Sequence, residues 1–334
     1  MTADPIAHPT SEDRTTGLIV FGAFEILGGL GVLLMVAFLF FAATMASSLA
    51  PETPGAPAAP FSPGMLLALT VIYLAVASVQ ISLGVGSILC RRWARTLSLL
   101  LAWVGLATGC FATIAMLMLW PQMKQSMTGA TADAGAPEIS GLILLVPLAF
   151  VVLLMVLAPA AFVLFYRRAD VRATCERKDP KPRWTDSRPL PILALTLMLA
   201  WGVLTPLNLL MSGGAFILFG VLFRGVSALL VAIAIAAACI WCARRIWALD
   251  VRGWWTALAV WLGLGVSGIL SLRADNQRLL FEEMGLPPEQ IELIAEHGLP
   301  TNAMAPLMAL SVLAFLIFFL YSKQFFAVPA ETSD

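Results

Sequence analysis

Polar residues cut this chain into eight long apolar runs, at about 17–46, 63–89, 96–119, 141–166, 189–211, 215–243, 254–272 and 304–322. A run of about 20 apolar residues makes a helix long enough to cross the roughly 30 Å hydrocarbon core of a bilayer. Inside lipid the backbone must satisfy its own hydrogen bonds, so each run predicts a helix rather than an irregular segment. The pattern predicts an all-α fold, a polytopic transmembrane helical bundle of eight spans. Pro147, Pro159, Pro206 and Pro306 fall inside runs and predict kinks, because proline lacks the N–H that would bond the carbonyl four residues earlier. The sixth run is overlong and contains Arg224. It predicts either one tilted helix or an interfacial piece over 212–224 ahead of a shorter span.

Composition agrees with the pattern. The chain is 60% hydrophobic and 12% charged, against roughly a quarter charged in soluble domains. Net charge is zero and carries little information, because the division of Lys and Arg between loops is what orients a membrane protein. With the N-terminus inside, sixteen of the twenty basic residues fall in inner segments. This predicts both termini cytoplasmic. The first run is about twice the length of a signal-peptide core and its leader has one basic residue, Arg14, against Asp4, Glu12 and Asp13, so it reads as a retained helix.

The inner charge concentrates in Arg167–Arg188, with eight basic and four acidic residues. This stretch divides the chain into a tail 1–16, a membrane half 17–166, the connector 167–188, a second half 189–322 and a tail 323–334. The halves resemble each other. Cys90-Arg91-Arg92-Trp93 after the second run has a counterpart in Cys242-Ala243-Arg244-Arg245 after the sixth, and Trp103-Val104-Gly105-Leu106 has one in Trp261-Leu262-Gly263-Leu264. Gly105 with Gly109, and Gly263 with Ser267, put small residues on one helix face where a neighbour can approach. Two parallel four-helix repeats follow as the expected architecture. Gly86-Ser87-Ile88-Leu89-Cys90-Arg91-Arg92-Trp93-Ala94-Arg95, with Arg168–Glu176, resembles segments of uncharacterised bacterial multi-pass membrane proteins. The resemblance covers about the first 190 residues and implies a bacterial inner membrane, with no activity attached.

Glu25 is the one acidic residue inside an apolar run. At 1.5 Å per residue it lies roughly 12 Å from the inner end of its run, and Gln80 of the second run lies at about 14 Å, so the two could meet. Two readings stand: a neutral carboxyl bonded to Gln80 or a serine as packing glue, or a ligand or proton site. Arg224 reads as an interfacial anchor or a contact for an anionic head group. The basic residues Arg167, Arg168, Arg172, Arg177, Lys178, Lys181, Arg183 and Arg188 fix topology and offer contact to anionic membrane lipids or to a cytoplasmic protein partner. The outer segment 273–302 predicts a helical hairpin, Asp275 to Met284 and Glu289 to His297, broken at Gly285-Leu286-Pro287-Pro288. Its six acids against two arginines make it a second partner surface.

Other chemistry finds little support. The only histidines, His8 and His297, lie outside the runs, which excludes bis-histidine haem ligation in the bilayer. No acid pair for a metal, no P-loop and no H-E-x-x-H occurs, so no catalytic set, cofactor or nucleic-acid binding is expected. Gly265-Val266-Ser267-Gly268 has the G-x-S-G spacing of rhomboid-type proteases but lacks a base within reach, so it reads as helix packing. Five cysteines at scattered positions, including Cys239-Ile240-Trp241-Cys242, read as packing residues or palmitoylation sites rather than disulfides. The expected function is solute or lipid handling at a site between the repeats. The rival is a scaffold, sensor or assembly factor working through the inner loop and outer hairpin.

Overall fold

The computed structural model describes residues 12–49, 63–133, 141–284, 286, 288–289, 291–292 and 301–326. The protein is helical almost throughout: α1 (Thr15–Leu49), α2 (Pro63–Ile88), α3 (Arg92–Asp133), α4 (Gly141–Val151), α5 (Ala158–Tyr166), α6 (Ala169–Lys178), α7 (Leu190–Trp201), α8 (Thr205–Met211), α9 (Gly225–Trp247), α10 (Val251–Ser271), α11 (Ala274–Glu283) and α12 (Thr301–Ser322). Among the described residues, eight spans are long and apolar enough to cross a membrane: Thr15–Met45, Gly64–Ile88, Arg92–Pro121, Leu145–Tyr166, Leu190–Met211, Gly225–Trp247, Val251–Ser271 and Met304–Phe326. The protein is thus an all-α integral membrane protein with multiple spans.

Two of the four prolines leave a visible mark. A π-helical stretch, Val152–Leu157, joins α4 to α5 just ahead of Pro159. The carbonyl that Pro159 cannot bond is that of Met155, and it presses against Gly109 of α3, in space that any side chain there would fill. Close Cα–H···O contacts of this kind compensate a freed carbonyl and need a small residue opposite. In the fifth span the helix tightens to 3₁₀ at Gly202–Leu204 ahead of Pro206. Here the freed carbonyl of Gly202 accepts the Thr205 hydroxyl at 2.6 Å.

Residues 212–224 decide between the two expectations: no tilted helix runs through them, and the sixth span is the shorter Gly225–Trp247, but the piece ahead of it is a β-hairpin. Ala215–Leu218 (β1) and Val221–Arg224 (β2) pair as an antiparallel hairpin, with Phe216 opposite Phe223 and Ile217 opposite Leu222. Phe219 and Gly220 both take positive φ, 52° and 80°, as a two-residue turn matching strand twist requires. The Phe219 N–H, left out of the ladder by the turn, donates to Ser267 Oγ at 2.9 Å. The serine of the G-x-S-G segment therefore holds a hairpin tip. Its glycines divide the packing differently from expectation: Gly265 and Gly268 meet Val312 and Met308 of α12, while Gly263 is in ordinary contact with Phe219.

Contacts divide the chain into two compact units. One comprises the chain up to Met35, Tyr73–Cys110 and Phe150–Arg188; the other comprises Val36–Ile72, Phe111–Ala149 and the chain from Pro189. The first has a core of Leu18, Cys90, Tyr166, Val171 and Cys175, where the rings of Phe21 and Phe165 stack with centroids 4.2 Å apart. The second is centred on Ile192, Leu195, Cys242, Ile246, Trp254 and Phe319.

The turn between α2 and α3 recurs between α9 and α10. Cys90 and Leu249 each take a positive φ, 55° and 58°. Arg91 N–H bonds Gly86 O at 2.8 Å, and Asp250 N–H bonds Arg245 O at 2.9 Å; both are six-to-one helix stops. Gly86 lies against Ala94 in the first turn and Gly253 against Arg245 in the second, the same pair of positions with the small residue exchanged. By turn geometry Cys90 matches Leu249, seven residues beyond the Cys242 of the sequence pairing.

Candidate functional site

The first unit contains the polar residues with the most to explain. Tyr166 Oη donates to Ser87 Oγ at 2.8 Å, and Ser87 Oγ donates to Glu25 Oε2 at 3.1 Å. Ser87 and Tyr166 are fully buried and Glu25 is half-buried. A serine has one proton to give, so once it donates to the carboxylate its lone pairs need a donor, which Tyr166 supplies. Ser98 lies near enough to interact with both Glu25 and Tyr166, yet its buried hydroxyl makes no hydrogen bond. The chain ties α1, α2 and α5 together at one depth.

Of the two partners expected for Glu25, Gln80 or a serine, the serine makes the bond. The Gln80 side chain lies against Gly28, one turn further along α1, and its buried Oε1 has no hydrogen bond. Helical side chains lean toward the N-terminus of their own helix. For α1 that direction leads to the connector, so Glu25 reaches back to Ser87, three residues before the turn at Cys90. Which serine was not legible, and Tyr166 escaped the sequence reading because it is uncharged; its place as the last residue of its helix before Arg167-Arg168 was the available signal.

The connector is folded. α6 presents Val171, Thr174 and Cys175 to the unit, a spacing that places all three on one helix face. Thr174 Oγ1 accepts the Arg14 N–H at 3.2 Å, and Lys178 Nζ donates to Thr15 Oγ1 at 2.7 Å. The start of α1 is thereby held against α6. Asp179, 3% exposed, accepts two bonds from Arg183, at 3.0 and 2.8 Å, and the Arg92 N–H at 3.4 Å. A carboxylate thus sits at the N-terminus of α3, where the helix dipole favours it.

Of the eight basic residues singled out from sequence, Arg183 is engaged by Asp179, Lys178 by Thr15, and Arg172 by Glu176 at 2.8 Å. Arg177 reaches Thr174 at 3.4 Å. Arg167, Arg168 and Lys181 are exposed, and Arg188 lines a cavity with Arg172. Arg224 belongs to the other unit, where it pairs with Glu283 at 2.9 Å, joining β2 to α11. The outer helix read from Asp275 to Met284 is α11, within one residue at each end. Ile291 beyond it is buried, 6% exposed, while most of the second outer helix lies outside the described residues.

No family model, curated protein or solved structure matches the chain. Function is therefore argued from these residues alone. Among the described residues no cluster of His, Cys, Asp and Glu could hold a metal ion, and the five cysteines are free thiols.

The clamp at the connector has a pH signature. Asp179 is held below its ordinary value chiefly by the Arg183 hydrogen bonds, and Glu176 chiefly by the Arg172 hydrogen bond. A carboxylate whose folded value is depressed gives its full stabilisation above the unfolded value and loses it as pH falls through the lower folded one. Amide exchange in α6 is expected to stay slow from neutral pH down to the ordinary values of 4.5 and 3.8. Below these it should accelerate ahead of exchange in the apolar spans. Asp179→Asn should exchange fast at neutral pH, and equal protection in both proteins would remove Asp179 from the clamp.

Proposed function

We propose that this is an inner-membrane protein with both termini inside, which handles a lipid or a small solute at the Glu25–Ser87–Tyr166 site. The observation that carries the proposal is the buried hydrogen-bonded chain ending on a carboxylate and drawing on three spans. Intramembrane carboxylates are costly to keep and mark functional positions. Ser87 lies three residues, about 4.5 Å of helix, from the turn at Cys90. A site toward the inner end of its spans lies within reach of phospholipid glycerol esters, which favours a lipid over a fully water-soluble solute. The positive-inside distribution supports the orientation. The recurring turn at Cys90 and Leu249 supports duplication of a four-helix unit.

Full-length protein reconstituted in vesicles is the test, read by movement of fluorescent lipids between leaflets and by uptake of small solutes. Glu25→Gln keeps the shape of the side chain and removes its charge, and is expected to reduce the activity at least ten-fold. Ser87→Ala, which unlinks Tyr166 from the carboxylate, should reduce it less. Equal activity in wild type and Glu25→Gln would reduce the chain to a structural tie between helices.

A further inference from the structure

A second polar site lies on the connector side of the first unit and shares no residue with the Glu25 chain. Arg92 and Arg95 from the first turn of α3, Arg172 and Glu176 from α6, and Thr185, Asp186 and Arg188 from the segment after it surround a cavity of about 220 Å³. Two carboxylates face four guanidinium groups. Glu176 binds Arg172 at 2.8 Å and Arg92 at 3.1 Å, and Asp186 lies 3.6 Å from Arg92. Arg95 lies within reach of both carboxylates, but its buried Nε has no hydrogen-bond partner. Thr185 is 2% exposed, and its Oγ1 also has none. Cys175 closes the cavity as a neutral thiol, its pKa pushed up to about 12 chiefly by burial.

These groups share one requirement. A guanidinium N–H can only donate, and a buried hydroxyl beside it needs an acceptor to give its proton to. A ligand that satisfies both presents acceptor oxygens, and a lining of four arginines against two carboxylates selects an anion. Arginine forks match tetrahedral oxyanions in both geometry and charge. The cavity is smaller than the roughly 300–1,000 Å³ of pockets for drug-sized ligands. It fits a phosphoryl group with a small substituent.

We propose that this cavity binds a phosphate monoester, whose negative charge suits the arginine-rich lining and whose oxygens reach Arg95 Nε, Arg188 and Thr185 Oγ1. Two sources carry that group, a soluble phosphate compound and the head group of a phosphatidic-acid-type lipid at the adjoining membrane surface. The site stands without the Glu25 proposal, and loss of lipid-handling activity in Glu25→Gln leaves phosphate binding untouched.

The test uses the purified full-length chain in neutral detergent, titrated with inorganic phosphate against chloride at matched ionic strength. A second arm uses nanodiscs of phosphatidylcholine with and without phosphatidic acid. Melting midpoint and tryptophan fluorescence are read in both. Stabilisation by inorganic phosphate assigns a soluble compound, and stabilisation by phosphatidic acid alone assigns the lipid. Either response should weaken about ten-fold or more in Arg188→Gln, a half-exposed position whose variant should fold. It should persist in Lys181→Gln, which removes the same charge from an exposed position outside the cavity. Thr185→Val has a distinct expectation: it deletes an unpaired buried hydroxyl, so basal melting should rise while the phosphate response falls, and Thr185→Ser should restore the response. No response in either arm, an unchanged response in Arg188→Gln and Thr185→Val, or an equal loss in Lys181→Gln would overturn the proposal.

Discussion

Trp254→Ala is expected to destabilise the second unit by about 3–5 kcal/mol, the range for truncating a fully buried aromatic. Trp254 has no exposed surface and stands near the start of α10. Its indole N–H donates to Phe319 O at 3.2 Å and Ser322 Oγ at 3.0 Å, so one side chain both fills the core and bonds the end of α12. Its ring meets those of Trp255 and Phe319 edge-on, with centroids 4.8 and 6.3 Å away. The two contributions separate in Trp254→Phe, which keeps most of the apolar volume and removes the donor. Phe319 O also accepts the Ser322 hydroxyl, so Phe should cost only about 1–2 kcal/mol. Unfolding titrations in mixed micelles would give both values. Equal costs for Ala and Phe would place the energy in the hydrogen bonds, and a cost below 1 kcal/mol for Ala would refute the packing account.

Which parts of this architecture could be read from the chain follows from what each depends on. Spans were legible because crossing a bilayer demands length and apolarity, and both are local properties of sequence. The hairpin at Ala215–Arg224 was hidden by the same rule: Ala-Phe-Ile-Leu and Val-Leu-Phe are as apolar as a span. Its signals were Gly213-Gly214 ahead of the first strand, Phe219-Gly220 at the turn, and aromatic residues paired across it. Those are hairpin marks in any solvent, and an average over apolarity discards them.

Glu25 was legible as an acid in an apolar run and a serine as one of its two expected partners, but not which serine. Counting depth along two ideal helices selected Gln80, whereas the direction of a helical side chain selects Ser87. The connector shows the same division. Its charge is plain in the sequence; its fold depends on Asp179 meeting the N–H of Arg92, a contact spanning 87 residues that no local pattern announces. Arg92 and Arg95 were counted only as topology determinants, because their part in a cavity depends on a segment some ninety residues away.

The packing of α1 on α2 links stability to the proposed site. An ideal Cβ on Gly84 would lie 2.5 Å from Gly22 O and 2.9 Å from Ile26 N. One on Gly22 would lie 2.6 Å from Gly84 O. Both obstacles are backbone, so no rotamer change can relieve them, and the helices touch only because neither position carries a side chain. Gly84→Leu is expected to cost about 3 kcal/mol or more, at or above the upper end for overpacking, since α1 must move away from α2. Gly84→Ala should cost less, because a small displacement of α1 accommodates one methyl. Glu25 and Ser87 each lie three residues from the glycine of their own helix, so the same displacement stretches the 3.1 Å bond between them. Gly84→Leu should therefore lose lipid handling to the extent that Ser87→Ala does, even at temperatures where it remains folded. Ser87→Ala should leave the helix spacing intact and cost only about 1 kcal/mol in stability. Crosslinking between cysteines placed on α1 and α2 would measure the spacing directly. Wild-type crosslinking and wild-type activity in Gly84→Leu would show that the two helices can part without consequence. Wild-type spacing in Ser87→Ala together with lost activity would place the effect in the hydrogen-bonded chain itself.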